Sequence, residues 1–307
     1  MTNLDAVILI VGLLLCLGAT VQPASALEPG QPTEEQFQAA VKAFKKLGGR
    51  FQKYTDDDTG RTDYICHMPS RTRDEDLKKL PDIAFPYALV LGDTKVTDAG
   101  LKEVARHKEL VGLNLSRTKV TDAGVKELAG LTNLESLHLD HTTVTDAGLK
   151  ELAGLTKLTN LDLATTGVTD AGLKTVAGFK ELTILNLYHT SVTDAGVKDL
   201  AGLTRMTCLI LSGTGVTDTA LKHVAKLTRL TNLGLDQTKV TDAGLKEIGT
   251  LKGLVLLNLE DTKVTDAGLK EIAEFKDLDT LYLKGARVTD AGVQTLRKAL
   301  PTCGIFR

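Results

Sequence analysis

The chain has 307 residues, enough for one or two globular domains or a single elongated array. Its 37 Lys+Arg against 39 Asp+Glu leave a formal charge of −2, which excludes both the basic footprint of a nucleic-acid binder and a polyanionic tail. Aromatic residues make up only 4% and Trp is absent, so the core must be built from Leu and Val, which suits many small layers of like composition.

The first 26 residues read as an export signal. An apolar stretch from Ala6 to Ala19 is too short to cross a bilayer core of roughly 30 Å comfortably as a helix. It leads into Ala24-Ser25-Ala26, an A-x-A cleavage pattern. Cleavage after Ala26 would leave no stable membrane span. The segment before the apolar stretch has no Lys or Arg and carries Asp5, which keeps an uncleaved anchor open as the alternative. A lipoprotein signal needs a small residue before Cys16, and Leu15 is not one. Without the leader the charge is 37 − 38 = −1.

Residues Thr33 to Leu47 have the pattern of an amphipathic helix, with Thr33 and Gln36 as a capping box and Gly48-Gly49 as its stop. A strand is predicted over Phe51–Tyr54, followed by a turn over 56–60. Together, residues 27–61 are expected to cap one open end of a core.

From residue 62 the chain repeats. A degenerate copy places Ile65, Asp74, Leu77 and Leu80 in register with the later units. Nine regular copies of 24 residues then begin at 86, 110, 134, 158, 182, 206, 230, 254 and 278, with no insertion or deletion. The fourth and sixth residues are Leu in all nine, as in Leu137 and Leu139, and Val-Thr-Asp occurs further along every unit. TDAG occurs in eight; the ninth reads Thr217-Asp218-Thr219-Ala220. The L-x-L alternation predicts a strand with one buried face. Thr-Asp then opens a helix of 8–10 residues, whose apolar positions (Leu149, Leu152 and Ala153 in one unit) fall on a single side. So short a helix is marginal alone, and stacked neighbours must supply its burial. Residues 62–300 are thus the repeat array. Leu300-Pro301 ends the last helix, and 301–307 form a second cap, with a strand near Cys303–Phe306.

The unit L-x-x-L-x-L-x-x-T-x-V-T-D-A-G-L-K-x-L-A resembles bacterial leucine-rich-repeat proteins of the ribonuclease-inhibitor-like group. It is closest to the type with a T-D-x-G helix start, also seen in F-box-associated repeats. The resemblance covers about Thr62 to Arg307. It implies an α/β fold, a right-handed leucine-rich-repeat solenoid or horseshoe with a concave parallel β-sheet and convex helices. It implies little about function, because such repeats bind very different partners.

Several patterns have structural readings. The nine helix-start aspartates, Asp98 to Asp290, invite a calcium reading. Each is better explained as a carboxylate favoured at a helix start, paired with the Lys four residues on, as Asp146 with Lys150. The threonine row from Thr94 to Thr262 is expected to bond the turn between layers, and it breaks at Ala286. Cys66, Cys208 and Cys303 lie in distant layers, so three free, buried thiols are expected. No Walker loop, G-x-S-x-G, C-x-x-C or H-E-x-x-H is present.

Function is expected where the units differ. Residues between and after the strand leucines face the concave surface. The fifth positions are Val90, Asn114, His138, Asp162, Asn186, Ile210, Gly234, Asn258 and Tyr282. The seventh are Gly92, Ser116, Asp140, Ala164, Tyr188, Ser212, Asp236, Glu260 and Lys284. A polar patch gathers His138, Asp140, His141, Asp162, Asn186, Tyr188 and His189, with three of the six histidines. His138 and Asp162 share a row and are placed to hydrogen-bond. His141 and His189, two layers or about 10 Å apart, are too far for one ion. A second patch, Asp236, Glu260 and Asp261, is acidic.

These observations predict an exported protein (periplasm, cell surface or secreted), monomeric and non-catalytic, that recognises a protein or glycan on its concave face. No cofactor, metal or nucleic acid is expected. The alternatives are an enzyme using the His/Asp patch, a structural envelope protein and an intracellular adaptor of the F-box-associated kind.

Overall fold

The computed structural model describes residues 31–56 and 60–307. The export signal expected at 1–26 and the centre of the turn at 56–60 lie outside these residues. A helix, α1 (Glu34–Lys46), leads into β1 (Arg50–Thr55) and β2 (Thr62–His67). Ten further strands come after them: β3 (Tyr87–Val90), β4 (Leu110–Asn114), β5 (Ser136–His138), β6 (Asn160–Asp162), β7 (Ile184–Asn186), β8 (Cys208–Ile210), β9 (Asn232–Gly234), β10 (Leu256–Asn258), β11 (Thr280–Tyr282) and β12 (Gly304–Phe306). They form one twelve-stranded sheet in chain order. The β1–β2 pair is antiparallel, and every later neighbour is parallel.

Each parallel step is closed by a helix on one side of the sheet: α2 (Asp74–Leu77), α3 (Asp98–Val104), α4 (Asp122–Val125), α5 (Asp146–Glu151), α6 (Asp170–Val176), α7 (Asp194–Val197), α8 (Asp218–Val224), α9 (Asp242–Glu247), α10 (Asp266–Ile272) and α11 (Asp290–Ala299). Between sheet and helices runs one continuous core, in which Leu113, Leu137, Leu161, Leu185, Leu209, Leu233, Leu257 and Leu281 meet across the layers. Burying one such leucine stabilises the fold by about 1.5–3 kcal/mol.

The helices α3–α10 have only four to seven residues, shorter than the 8–10 expected. The two four-residue helices end at Val125 and Val197, where most units carry Leu, and continue as 3-10 turns over Lys126–Gly130 and Lys198–Gly202.

The helix-start threonines and aspartates lock one unit to the next. In α5 the Thr145 hydroxyl accepts from Ala147 N–H and donates to Asp122 of the preceding unit. From Asp74–Thr97 to Asp266–Thr289, each aspartate takes the following unit's Thr N–H at 2.7–2.8 Å and its hydroxyl at 2.6–2.7 Å. This corrects the expected pairing with lysine. Among the described residues no ion pair joins Asp146 to Lys150, because the carboxylate is already occupied by Thr169. The fork also explains the glycine of TDAG: a Cβ at Gly148 would meet Asp122 Oδ1. At Ala220 a Cβ is accommodated, and the Asp194–Thr217 fork persists at 2.7 Å for both bonds.

The threonine row bonds within its own unit, not between layers as expected. Thr142 Oγ1 donates to Leu139 O at 2.6 Å, and the same bond recurs from Thr94 to Thr262. It pins the bend where the chain leaves the sheet, since the hydroxyl reaches back three residues to the leucine that follows the strand.

At the amino-terminal end, the Thr33–Gln36 capping box forms on α1. Phe37, Phe44, Phe51, Tyr64, Phe85 and Tyr87 then stack against one another with ring centroids 5.2–6.3 Å apart. Half of the twelve aromatic rings (seven Phe, five Tyr) thus cover the first leucine layer. At the other end, β12 pairs with β11 and Phe306 stacks on Tyr282 at 5.1 Å. Cys66 and Cys303 are free and buried. Cys208 is buried beside Ile184, and the expectation for its thiol depends on residues outside those described. Among the described residues no helix is long and apolar enough to cross a membrane.

Candidate functional site

Strand alternation sets the concave face. In β5, Leu137 points into the core while Ser136 and His138 lie on the opposite side, and Asp140 continues that side after Leu139. Parallel pairing sets Asn114, His138, Asp162, Asn186 and Ile210 in one row, with Gly112, Ser136, Asn160, Ile184 and Cys208 beside it. The residue after the seventh position turns left-handed. Asp93, Arg117, His141, Thr165, His189, Gln237 and Asp261 all have φ between 50° and 58°, and Gly213 and Gly285 fill the same place. This turn throws its side chain away from the row.

Three side chains converge where layers β5 and β6 meet. One ligand atom each from His138, Asp140 and Asp162 lies within 4.8 Å of the others. Asp162 is only 4% exposed. Its Oδ1 accepts from Ala164 N–H at 2.9 Å, and its Oδ2 accepts from Asn186 Nδ2 at 3.2 Å. Burial, reinforced by the Asp140 charge, pushes its carboxyl up to about 7, against the pull of those two bonds. Burial also lowers the His138 imidazole below its ordinary value, opposed by Asp140.

The His138 Nδ1 to Asp162 Oδ2 separation is 4.0 Å. The expected hydrogen bond is therefore absent. At that distance, with both groups shifted towards their neutral forms, the contact is not an ion pair either. His138 Nε2 instead lies 3.1 Å from Ser136 Oγ, and Ser116 Oγ hydrogen-bonds Asp140 Oδ1.

The rest of the predicted patch divides. Asn186 is buried and joins the trio through Asp162, and its Oδ1 accepts from Tyr188 N–H at 3.0 Å. Tyr188 packs edge-on to His189 at 4.2 Å. His141 and His189 are both exposed at the left-handed turn, so neither reaches the trio. His189 acts electrostatically on Asp236 of the acidic patch. There, Ser212 Oγ hydrogen-bonds Asp236, and burial raises the Asp236 carboxyl. Burial and then Asp236 raise Glu260.

Sequence reasoning missed Ser136 and Asn160, although period two carried one step back along β5 and β6 places both on the concave face. The Asn160 side-chain oxygen is shut off from solvent with no hydrogen-bond partner. A cavity lined by Asp290, Val293, Gln294, Arg297 and Arg307 sits beside α11, away from these residues.

The family model described as Leucine Rich repeat matches residues 110–129, 130–153 and 154–177, the layers that carry the trio. The fold is a leucine-rich-repeat solenoid. Internalin C2 of Listeria monocytogenes is similar in structure, with 24% identity, 87% of this chain and 100% of that chain covered, and a TM-score of 0.54. A leucine-rich-repeat protein of Leptospira interrogans has 23% identity and a TM-score of 0.55 over 76% of this chain, which spans 62% of its length. At these identities the likeness concerns the fold alone. No curated protein matches the chain.

Proposed function

We propose that this leucine-rich-repeat solenoid is a non-catalytic, exported binding protein that recognises a protein partner on the concave face of β5–β7. Residues 1–26 would be its cleaved signal, 27–61 and 301–307 its caps, and 62–300 its array of 24-residue units of the ribonuclease-inhibitor-like group. The observation that carries the reading is the composition of one stretch of sheet. Asp162 and Asn186 are polar, buried and hydrogen-bonded to each other, with His138, Asp140, Tyr188 and His189 around them. Core packing does not demand polar groups here, because Ile210 and Gly234 serve the same row in later layers. Polar groups part-buried on an open face, with aromatic rings at their edge, are the makings of an interface centre.

The test is capture from native extracts, run beside a glycan panel, with the mature chain as bait. A triple variant, His141→Ala, Tyr188→Ala and His189→Ala, removes the two exposed histidines and the half-buried ring of the patch and spares Asp162 and Asn186. A partner held by the parent and lost by at least tenfold in the triple variant supports the reading. Equal capture by an Asp236→Asn/Glu260→Gln variant would show that the acidic patch is not the site. Retention by the triple variant, at unchanged melting temperature, moves recognition off this patch. Glycan binding with no protein captured would replace the protein partner with a carbohydrate.

A further inference from the structure

The three ligand-type atoms on β5 and β6 are held as a set. Ser116 fixes Asp140 through Oδ1. Ser136 holds the Nε2 side of the His138 ring at 3.1 Å. Ala164 N–H and Asn186 Nδ2 fix Asp162. Each of these partners lies outside the trio. His138 Nδ1, which makes no hydrogen bond among the described residues, stands 4.0 Å from Asp162 Oδ2, and one ligand atom each from His138, Asp140 and Asp162 lies within 4.8 Å of the others. Beside them, Asn160 on β6 carries a buried side-chain oxygen with no partner, a further acceptor on the same face. An open imidazole nitrogen and two carboxyl groups held this close are costly to bury as anions, and a cation offsets that cost.

We propose that His138, Asp140 and Asp162 bind a divalent transition-metal cation of the Zn2+ or Mn2+ class, oriented by Ser116, Ser136 and Asn186. The mixed nitrogen and oxygen set argues for this class, since Mg2+ and Ca2+ favour all-oxygen ligands. Outer partners on every ligand are the usual company of a metal site, fixing ring and carboxylate orientation. The site is distinct from the helix-start aspartates, each of which serves a threonine of the next unit with no imidazole beside it. Three protein ligands leave positions that face the concave groove, where an oxygen donor of a bound partner completes the coordination. That last step rests on the binding function proposed above, whereas the metal site does not.

Isothermal titration calorimetry of the EDTA-treated, dialysed full chain tests it, with ZnCl2, MnCl2 and CaCl2 in separate runs. One-site binding of Zn2+ or Mn2+, with Ca2+ at least tenfold weaker, is expected. His138→Ala and Asp140→Asn should each weaken it by more than about tenfold, and Ser116→Ala or Ser136→Ala by about tenfold. His67→Ala, on β2 and layers away, should leave it unchanged. Metal-free melting curves establish that each variant is folded. In the parent, nitrogen NMR of the His138 ring should show a metal-dependent shift, which reads ligation without any substitution. The proposal is overturned if neither metal binds saturably, or if binding persists in both His138→Ala and Asp140→Asn. Partner capture repeated in EDTA separates the two ideas. Capture that survives EDTA removes the metal from recognition, and capture without any metal binding leaves the concave face as a metal-free interface.

Discussion

Two rows of aspartates run through this solenoid, one along the helix starts and one on the concave face. Along the helix starts, Asp98, Asp122 and Asp146 each give both oxygens to one threonine of the next unit, and the same fork recurs through the array. On the concave face, Asp140 and Asp162 point towards each other and towards His138, and Asp162 is buried with a carboxyl pushed up to about 7. The helix-start row is regular because every unit poses the same hydrogen-bonding problem there. The concave aspartates occur only in certain layers, at positions the core leaves open. In a repeat chain, then, a carboxylate at every period holds the stack together, while one that breaks the period marks the surface that the stack presents.

Breaking the helix-start fork should have the largest effect. Asp146→Ala removes two charge-assisted hydrogen bonds from the middle of the array and should cost about 2–4 kcal/mol in urea unfolding. The loss should be nearly the same on either side of neutral pH. A cost below about 0.5 kcal/mol would mean the fork contributes little beyond surface pairing.

Asp162 should behave oppositely. Its folded carboxyl titrates near 7 against an ordinary value of 3.8, so between those values the native state keeps a proton that the unfolded chain has released. Metal-free stability should therefore fall as pH rises from about 4 to about 7, by up to about 1.4 kcal/mol per pH unit, and level off above. Asp162→Asn should flatten that slope and leave the EDTA-treated protein about 1–2 kcal/mol more stable than the parent above pH 7. The gain is limited because the amide keeps one acceptor oxygen where the carboxylate uses two. Thermal melts from pH 4 to 8 decide it, and an unchanged slope in the variant would falsify the assignment of that titration to Asp162.

The smallest effect belongs to the threonine row, which serves as the baseline for a regular position without charge. Thr142→Val forfeits the 2.6 Å bond to Leu139 O and should cost about 1 kcal/mol, independent of pH and metal.

Most of the architecture was legible in the chain, since L-x-L and the later Val-Thr-Asp dictate a strand, a turn and a helix start. The fork was not. Its partners stand 23 residues apart, and the local alternative of a lysine four residues on is what helix geometry alone would suggest. The helix lengths were overestimated, because apolar spacing marks the buried side of a turn without saying where α geometry gives way. The aromatic cluster at the first layer draws on α1, β1, β2 and β3, and composition merely showed that aromatics were few. At the candidate site, His138, Asp140, Asp162 and Asn186 could be grouped from strand alternation. His141 and His189 stand apart from that trio, because they sit at a left-handed turn that has no marker in the sequence when glycine is absent.

By itself, then, the sequence determined the repeat, the leucine layers and the face on which units differ, because each arises from the spacing of apolar residues along one strand and one helix. Only the tertiary structure decided which polar atoms meet. Stacking one unit on the next brought Asp146 to Thr169 and His138 to within 4.0 Å of Asp162. Those contacts depend on distances between layers and on side-chain directions at the turns, which exist only once the units are stacked.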